Sequence, residues 1–165
     1  MPITLCFDFG NTRKKAAVFD KDEIKEILVL PDDFVTTIQA LIEKFKPKKS
    51  ILSSVVNHHP DIETLLSSNT KFHLLNYLTR LPFTTPVGKP ETIGADRLAL
   101  AAAAVHFYPK RNNLVIGMGT CITYNFINKF CEFMGGAISP GMEMRLKSLN
   151  QFTAKLPLID AELSA

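Results

Sequence analysis

Two stretches of this 165-residue chain follow one pattern, and that repetition constrains the fold more than any other feature of the sequence. Residues 5–14 read LCFDFGNTRK and residues 114–123 read LVIGMGTCIT. With Gly10 laid on Gly119, each copy is an apolar run, one variable position, and then x-Gly-polar. The variable position holds Asp8 in the first copy and Gly117 in the second. The order of expected elements repeats as well. Strands are predicted over 3–9, 14–20 and 23–30, then a helix over 31–46 with Asp32 or Asp33 as N-cap and Pro47 as stop. In that helix Phe34, Ile38, Leu41, Ile42 and Phe45 recur at helical spacing. The second round has strands over 113–119, 121–128 and 129–138, then an amphipathic helix carrying Met142, Leu146, Leu149 and Phe152. An internal duplication accounts for both the motif and the order.

The expected halves are 1–110 and 111–165, so the second has room for only the start of its unit. The first half also holds a strand over 50–56, a helix over 59–68 with Pro60 near its first position, and a strand over 71–76. The loop 77–91, with Pro82, Pro86, Gly88 and Pro90, is long for a structureless connection and is a candidate functional segment. A helix is expected from about Thr92 to Phe107. Strands and helices mixed in this way place the chain in the α/β class.

Composition narrows the partners. Hydrophobic residues at 46% and charged residues at 21% are globular values and exclude disorder. The net charge of +3 is mild, and the densest basic cluster, KFKPKK at 44–49, lacks interleaved arginine or aromatic residues. It reads as a solvated helix end, and no nucleic-acid partner is expected. The most apolar run, LALAAAAVHF at 98–107, is too short to span a bilayer, so no membrane partner is expected either. Cys6, Cys121 and Cys131 are odd in number and show no metal-ligand spacing. Together with the absence of a basic and then apolar N-terminus, they suggest a reducing, cytoplasmic setting.

Three motifs carry chemistry. DFGNT puts Asp8 at the end of a buried strand, then a tight turn with amide and hydroxyl side chains. Backbone N–H groups at such a turn approach an anion closely, and a carboxylate beside a phosphate anchors Mg²⁺ and its waters. Lys15 on the adjoining strand can reach the same phosphates. On the motif alone, a hairpin turn capped by Asp and Asn is an equal reading. TIGADRLA places Asp96 and Arg97 in a first helical turn, where the dipole favours an ionised aspartate able to accept a hydroxyl proton in phosphoryl transfer. Arg97 offers a bidentate grip on a carboxylate. Taken alone, capping by Thr92, with Asp96 paired to Arg97 or solvent, is the simpler account. GGAISPG at 135–141 leads into a helix N-terminus and is suited to a flat ring or a phosphate, though such turns often serve packing. His58, His59, His73 and His106 lack partners at catalytic or metal spacing and receive no role.

DFGNTRKK, PETIGADRLA, GTCIT and GGAISPGMEMRLKSL, in that order and spacing, resemble type III pantothenate kinase. That family sits in the acetate kinase, sugar kinase, Hsp70 and actin superfamily. The resemblance implies a duplicated ribonuclease-H-like, actin-like ATPase fold whose second half is incomplete here. It also implies ATP-dependent phosphorylation of pantothenate to 4'-phosphopantothenate, the first step of coenzyme A synthesis. Carried over by position, Asp8, Phe9, Gly10, Asn11, Thr12, Arg13, Lys14 and Lys15 form the first phosphate loop, with Asp8 serving Mg²⁺-ATP. Thr120 contributes to ATP binding from the second loop. Gly94, Ala95, Asp96 and Arg97 line the pantothenate site, with Asp96 as general base and Arg97 on the substrate carboxylate. The resemblance further implies a homodimer and a monovalent cation, K⁺ or NH₄⁺.

Four departures accompany it. Gly117 stands where the family has a cation-ligating aspartate, Val87 where it places a substrate-touching tyrosine, and Asn125 where related sequences often carry Asp. The family also continues well past residue 165 and draws a substrate-contacting threonine from that part. An alternative is a catalytically impaired relative that keeps the fold as a nucleotide-binding or regulatory protein. A third reading, another superfamily kinase acting on a different small alcohol, explains TIGADR less well.

Overall fold

The structure is a computed structural model, and it describes residues 2–159. It resolves into two compact units: residues up to Arg80 together with Lys89–Ala99, and Leu81–Gly88 together with the described residues from Leu100 onward.

The first unit is built on β1 (Ile3–Phe9), β2 (Lys14–Asp20), β3 (Glu23–Leu30), α1 (Val35–Phe45), β4 (Lys49–Ser54), α2 (Pro60–Asn69) and β5 (Lys71–Leu74). Its five-stranded sheet runs β3-β2-β1-β4-β5. The β1–β2 and β2–β3 ladders are antiparallel, while β1–β4 and β4–β5 are parallel. This mixed order is the ribonuclease-H-like arrangement the resemblance implies. Alternation along β1 sends Leu5, Phe7 and Phe9 into the core and leaves Thr4, Cys6 and Asp8 on the other face. The buried face, with Ala16, Val18 and Leu52, packs on Ile38, Leu41 and Ile42 of α1 and on Ile62 and Leu66 of α2. Each Val, Leu, Ile or Phe among them contributes about 1.5–3 kcal/mol when fully buried.

Two boundaries differ from the sequence reading. The helix expected from 31 begins at Val35, and its N-cap position is Phe34, without a side-chain cap. Asp32 braces the approach instead: its Oδ1 accepts from the Thr37 hydroxyl (2.6 Å) and the Phe34 N–H (3.0 Å). Asp33 lies 3.6 Å from Lys14 Nζ. The strand expected to reach Val56 ends at Ser54, and α2 is capped by the His59 ring, which accepts from the Asp61 N–H at 3.2 Å.

α3 (Ala95–Phe107) starts three residues later than expected, after a 3-10 turn at Pro90–Thr92. Thr92 is not its cap, because its hydroxyl donates to the Lys89 carbonyl at 2.7 Å. Gly94 takes that place, its carbonyl accepting from the Arg97 and Leu98 N–H groups at 3.0 and 3.1 Å.

The second unit holds an antiparallel sheet in the order β6-β7-β8, from β6 (Asn113–Met118), β7 (Cys121–Ile127) and β8 (Phe133–Pro140), and then α4 (Met142–Gln151). It repeats the opening meander of the first unit, and Gly10 and Gly119 are each the first residue after the first strand. β8 begins four residues later than expected. Asn128 Oδ1 accepts the Phe130 and Glu132 N–H groups at 3.0 Å, and Cys131 turns at φ 60°, so residues 128–132 form a turn. Gly135 and Gly136 lie within β8, not at its end. The loop 77–91 is not structureless. Thr84 bridges Glu132, just before β8, through Thr84 N–H to Cys131 carbonyl (3.0 Å) and Phe133 N–H to Thr84 carbonyl (2.8 Å), and the Thr85 hydroxyl donates to the Phe133 carbonyl at 2.9 Å. The apolar stripe expected on α4 is not buried by the described residues: Met142, Leu149 and Phe152 are exposed, and Phe152 is the C-cap.

Candidate active site

In open α/β sheets, ligands gather beyond the carboxyl ends of parallel strands. In the first unit that end is where β1 and β4 run side by side, and there the pairing register sets three polar side chains in a row. Asp8 lies opposite Lys15 on β2 and beside Ser53 on β4. Register partners share a face, so Lys15, Asp8 and Ser53 stand side by side, about 5 Å from strand to strand. Lys14, one residue earlier, falls on the opposite face and pairs with Asp33.

Past Asp8 the chain turns tightly. The Gly10 N–H donates to the Arg13 carbonyl at 3.1 Å, closing a loop that carries exposed Asn11, Thr12 and Arg13. A Cβ on Gly10 would sit 3.1 Å from that same carbonyl, tighter than side chains ordinarily tolerate. Phe9 contributes only backbone here. Its ring is fully buried, and its carbonyl accepts the Val55 N–H at 3.1 Å.

The start of α3 comes to the same place. A Cβ on Gly94 would lie 3.6 Å from Val55 Cγ1 and 2.5 Å from Asp96 Oδ1, so the Asp96 carboxylate folds back over the glycine. Ala95 is buried, and Asp96 and Arg97 are half-buried in the first turn. Asp8 registers this crowding. Its carboxyl is pushed above the usual range by lost hydration; Lys15 opposes the shift and the negative charge of Asp96 adds to it. Two carboxylates and a lysine are thereby gathered at one strand end, a grouping whose chemistry suits charge neutralisation and proton transfer.

Sequence reasoning missed two features of this region. Ser53 is only 8% exposed, and its Oγ has no hydrogen-bond partner among the described residues. His58, given no role from the sequence, links Ser54 Oγ (3.1 Å from Nδ1) to Glu63 Oε1 (3.0 Å from Nε2), with its ring edge-on to Phe9. This chain of bonds braces the turn between β4 and α2. The setting of Ser53 has no sequence signal, because it depends on which strands lie side by side; the hydrogen-bond partners of His58 lie within five residues of it, and only its contact with Phe9 needs that adjacency.

The second unit holds Gly117, Thr120 and Val87. Gly117 pairs with Thr123, as Asp8 pairs with Lys15. A Cβ at 117 would lie 2.7 Å from Thr123 Oγ1 and 3.0 Å from Leu100 Cδ1. Buried Asn125 donates to both Thr123 Oγ1 and the Val115 carbonyl at 3.2 Å. The residues present therefore form a neutral row and do not fit a carboxylate-held monovalent cation. The Thr120 carbonyl accepts the Gly141 N–H at 2.9 Å, tying the second glycine turn to the start of α4. Val87 lies near β8, its Cγ2 3.8 Å from where a Cβ on Gly135 would be. The three cysteines are free, and no group of three or more His, Cys, Asp or Glu able to hold a metal occurs among the described residues. No helix among them is long and apolar enough to cross a membrane.

The mixed five-stranded sheet, with an acid at the end of β1 and a second acid opening a nearby helix, defines an α/β protein of ribonuclease-H-like fold. Comparison with known proteins narrows that class. Residues 4–164 match type III pantothenate kinase, and the chain belongs to that family. It is 46% identical over 159 residues to the type III pantothenate kinase of Christiangramia forsetii, covering 95% of this chain and 65% of that protein. It is 37% identical over 164 residues to the one from Bacteroides fragilis, covering 97% of this chain and 66% of that protein. The chain thus spans about two thirds of the length of the curated relatives it matches.

Proposed function

We propose that this chain carries the nucleotide- and substrate-handling residues of a pantothenate kinase. The observation that carries the reading is the meeting of two turns: Val55, bonded through its N–H to the Phe9 carbonyl at the end of β1, lies beside Gly94, over which the Asp96 carboxylate folds, so that Asp96 opens α3 at the strand end that holds Asp8. Asp96 accepts the proton of the primary hydroxyl of pantothenate as that oxygen bonds to the γ-phosphorus of ATP. The bond from the γ-phosphorus to the bridging oxygen breaks, and ADP leaves with its electron pair. General-base help of this kind supplies roughly 10²–10⁴ in rate. Arg97 holds the pantothenate carboxylate, with Gly94 and Ala95 as the floor that lets substrate approach. The loop of Gly10 to Arg13 and Lys15 hold the phosphates; Lys14, turned to the other face, serves Asp33. The resemblance assigns two residues of the second unit as well, Thr120 to ATP and Val87 to pantothenate.

A divalent ion fits this end of the sheet, which offers one carboxylate, Asp8, and an unpartnered buried hydroxyl, Ser53. Mg²⁺ is commonly held by one or two carboxylates plus substrate phosphates, and when bound it neutralises phosphate charge. The monovalent cation of the family is not assigned a place, since Gly117 supplies no side-chain oxygen. Duplicated halves meeting near residue 110, a homodimer and a cytoplasmic setting belong to the same proposal.

The test is pantothenate-dependent ADP release with Mg²⁺, run beside Asp96→Asn. Turnover that vanishes in the variant supports the kinase. Turnover no higher than that of the variant leaves the second reading, a nucleotide-binding relative without catalysis, which Gly117 favours.

A further inference from the structure

We propose that Ser53 is a positioning residue for the divalent ion that accompanies the nucleotide, its hydroxyl fixing the ion's water shell beside Asp8. The inference rests on the nucleotide-binding part of the reading above and extends it to a residue on β4 that the motifs do not contain. Three observations carry it. Ser53 is the register neighbour of Asp8 across the parallel β1–β4 ladder, so both side chains leave the sheet on one face. Its Oγ is buried without a hydrogen-bond partner among the described residues. Two residues on, just past the end of β4, Val55 lies beside Gly94 and so beside the Asp96 turn.

A buried hydroxyl without a partner carries an uncompensated desolvation cost, and in native proteins such groups usually have a role or an ordered partner. The other buried side-chain polar atom without a partner among the described residues, Asp20 Oδ1, is a carboxylate oxygen at the far end of β2, where its register partners are Ile3 and Glu23. Mg²⁺ loses its waters reluctantly, so an ion anchored by a single carboxylate is oriented by the groups that bind its waters. Outer-shell groups of this kind typically change metal affinity by about 10–100-fold when removed. Ser53 has the right chemistry for that work: a hydroxyl that donates or accepts, fixed by a sheet and not by a loop.

The experiment is direct titration of Mn²⁺ into the full chain with a non-hydrolysable ATP analogue, followed by electron paramagnetic resonance. No pantothenate is present, so failure of the kinase reading leaves this result standing by itself. Ser53→Ala is expected to weaken Mn²⁺ binding by about 10-fold or more. Ser53→Thr, which keeps the hydroxyl, should restore most of it. A hydroxyl that merely held the sheet together would lower the melting temperature when removed; loss of an unpartnered one leaves it equal or higher. Mn²⁺ binding unchanged in Ser53→Ala, equal weakness in Ser53→Thr, or no Mn²⁺ binding by the wild-type chain would each overturn the proposal.

Discussion

Asp8 and Lys15 face each other directly across the antiparallel β1–β2 ladder, and the equivalent pair in the second unit is Gly117 and Thr123. One glycine-turn device therefore occurs twice with different chemistry. The first copy presents an acid and a base on one face; the second presents no side chain and a hydroxyl. In the first copy the two neighbouring lysines are separated by the pleat, which sends Lys15 to the face of Asp8 and Lys14 to that of Phe9.

That separation predicts unequal lysine variants. Lys15→Met should lower affinity for Mg²⁺-ATP by an order of magnitude or more, as about 1.4 kcal/mol of lost contact implies. Lys14→Met breaks only the half-exposed contact with Asp33, worth about 0–1 kcal/mol, and should leave nucleotide affinity unchanged. Isothermal titration with a non-hydrolysable analogue checks both. Equal losses would mean the faces are misassigned.

Gly94 predicts a loss of activity without a loss of fold. A methyl group there would sit 2.5 Å from Asp96 Oδ1, the free end of a side chain, so the carboxylate yields and the backbone does not. Gly94→Ala should cut kcat by more than tenfold while the urea midpoint shifts little. Full activity in this variant would show that Asp96 need not rest over Gly94.

Asp8 and Asp32 should respond to pH with opposite signs. Asp8 is raised in the folded chain by lost hydration, with Lys15 opposing and Asp96 adding. Its stabilising share is therefore present below the ordinary carboxylate range and is lost as pH rises through the raised value. Asp8→Asn should melt higher than wild type at pH 7, and the gap should close toward pH 3. Asp32 is lowered by the Thr37 hydroxyl and the Phe34 N–H. Its share is present above the ordinary range and lost in acid, so Asp32→Asn should melt lower at pH 7 and converge with wild type in acid. Thermal melts across pH 3–8 read both, and gaps of the same sign would contradict the assignment.

The space at residue 117 predicts a coupled pair. A Cβ there would lie 2.7 Å from Thr123 Oγ1, so Gly117→Ala should destabilise by about 1–3 kcal/mol as overpacking does. Adding Thr123→Ala should recover much of that loss, since contacting residues are non-additive. Urea denaturation of the cycle measures the coupling. In the same region, replacing K⁺ by Na⁺ should leave turnover unchanged if Gly117 has removed the cation's carboxylate.

Gly141 predicts a harder limit. A Cβ on it would meet the Thr120 carbonyl oxygen at 2.6 Å and the Gly119 carbonyl oxygen closer still, both of them backbone atoms. Gly141→Ala must therefore shift the turn itself and should cost more stability than Gly94→Ala. Comparison of their urea midpoints decides this.

Much of this architecture was legible in the order of residues. Alternation along ITLCFDF and KKAAVFD marks two strands, the glycine after each first strand marks its turn, and Asp96 and Arg97 announce a helix start through local preferences that act within a few residues. The repeat of Gly10 at Gly119 was visible for the same reason. Local physics also misled: Asp32 and Thr92 are good caps by type, yet each bonds a neighbouring turn, and the helices start at Val35 and Ala95. What no stretch of sequence contains is adjacency between strands. The parallel β1–β4 register sets Ser53 beside Asp8, although 45 positions separate them. The start of α3 brings Asp96 within reach of Asp8, and only there does lost hydration and a like charge lift that carboxyl. A side chain's chemistry is written in its type, but its ionisation, its partners and its face of the sheet depend on what the folded chain sets against it.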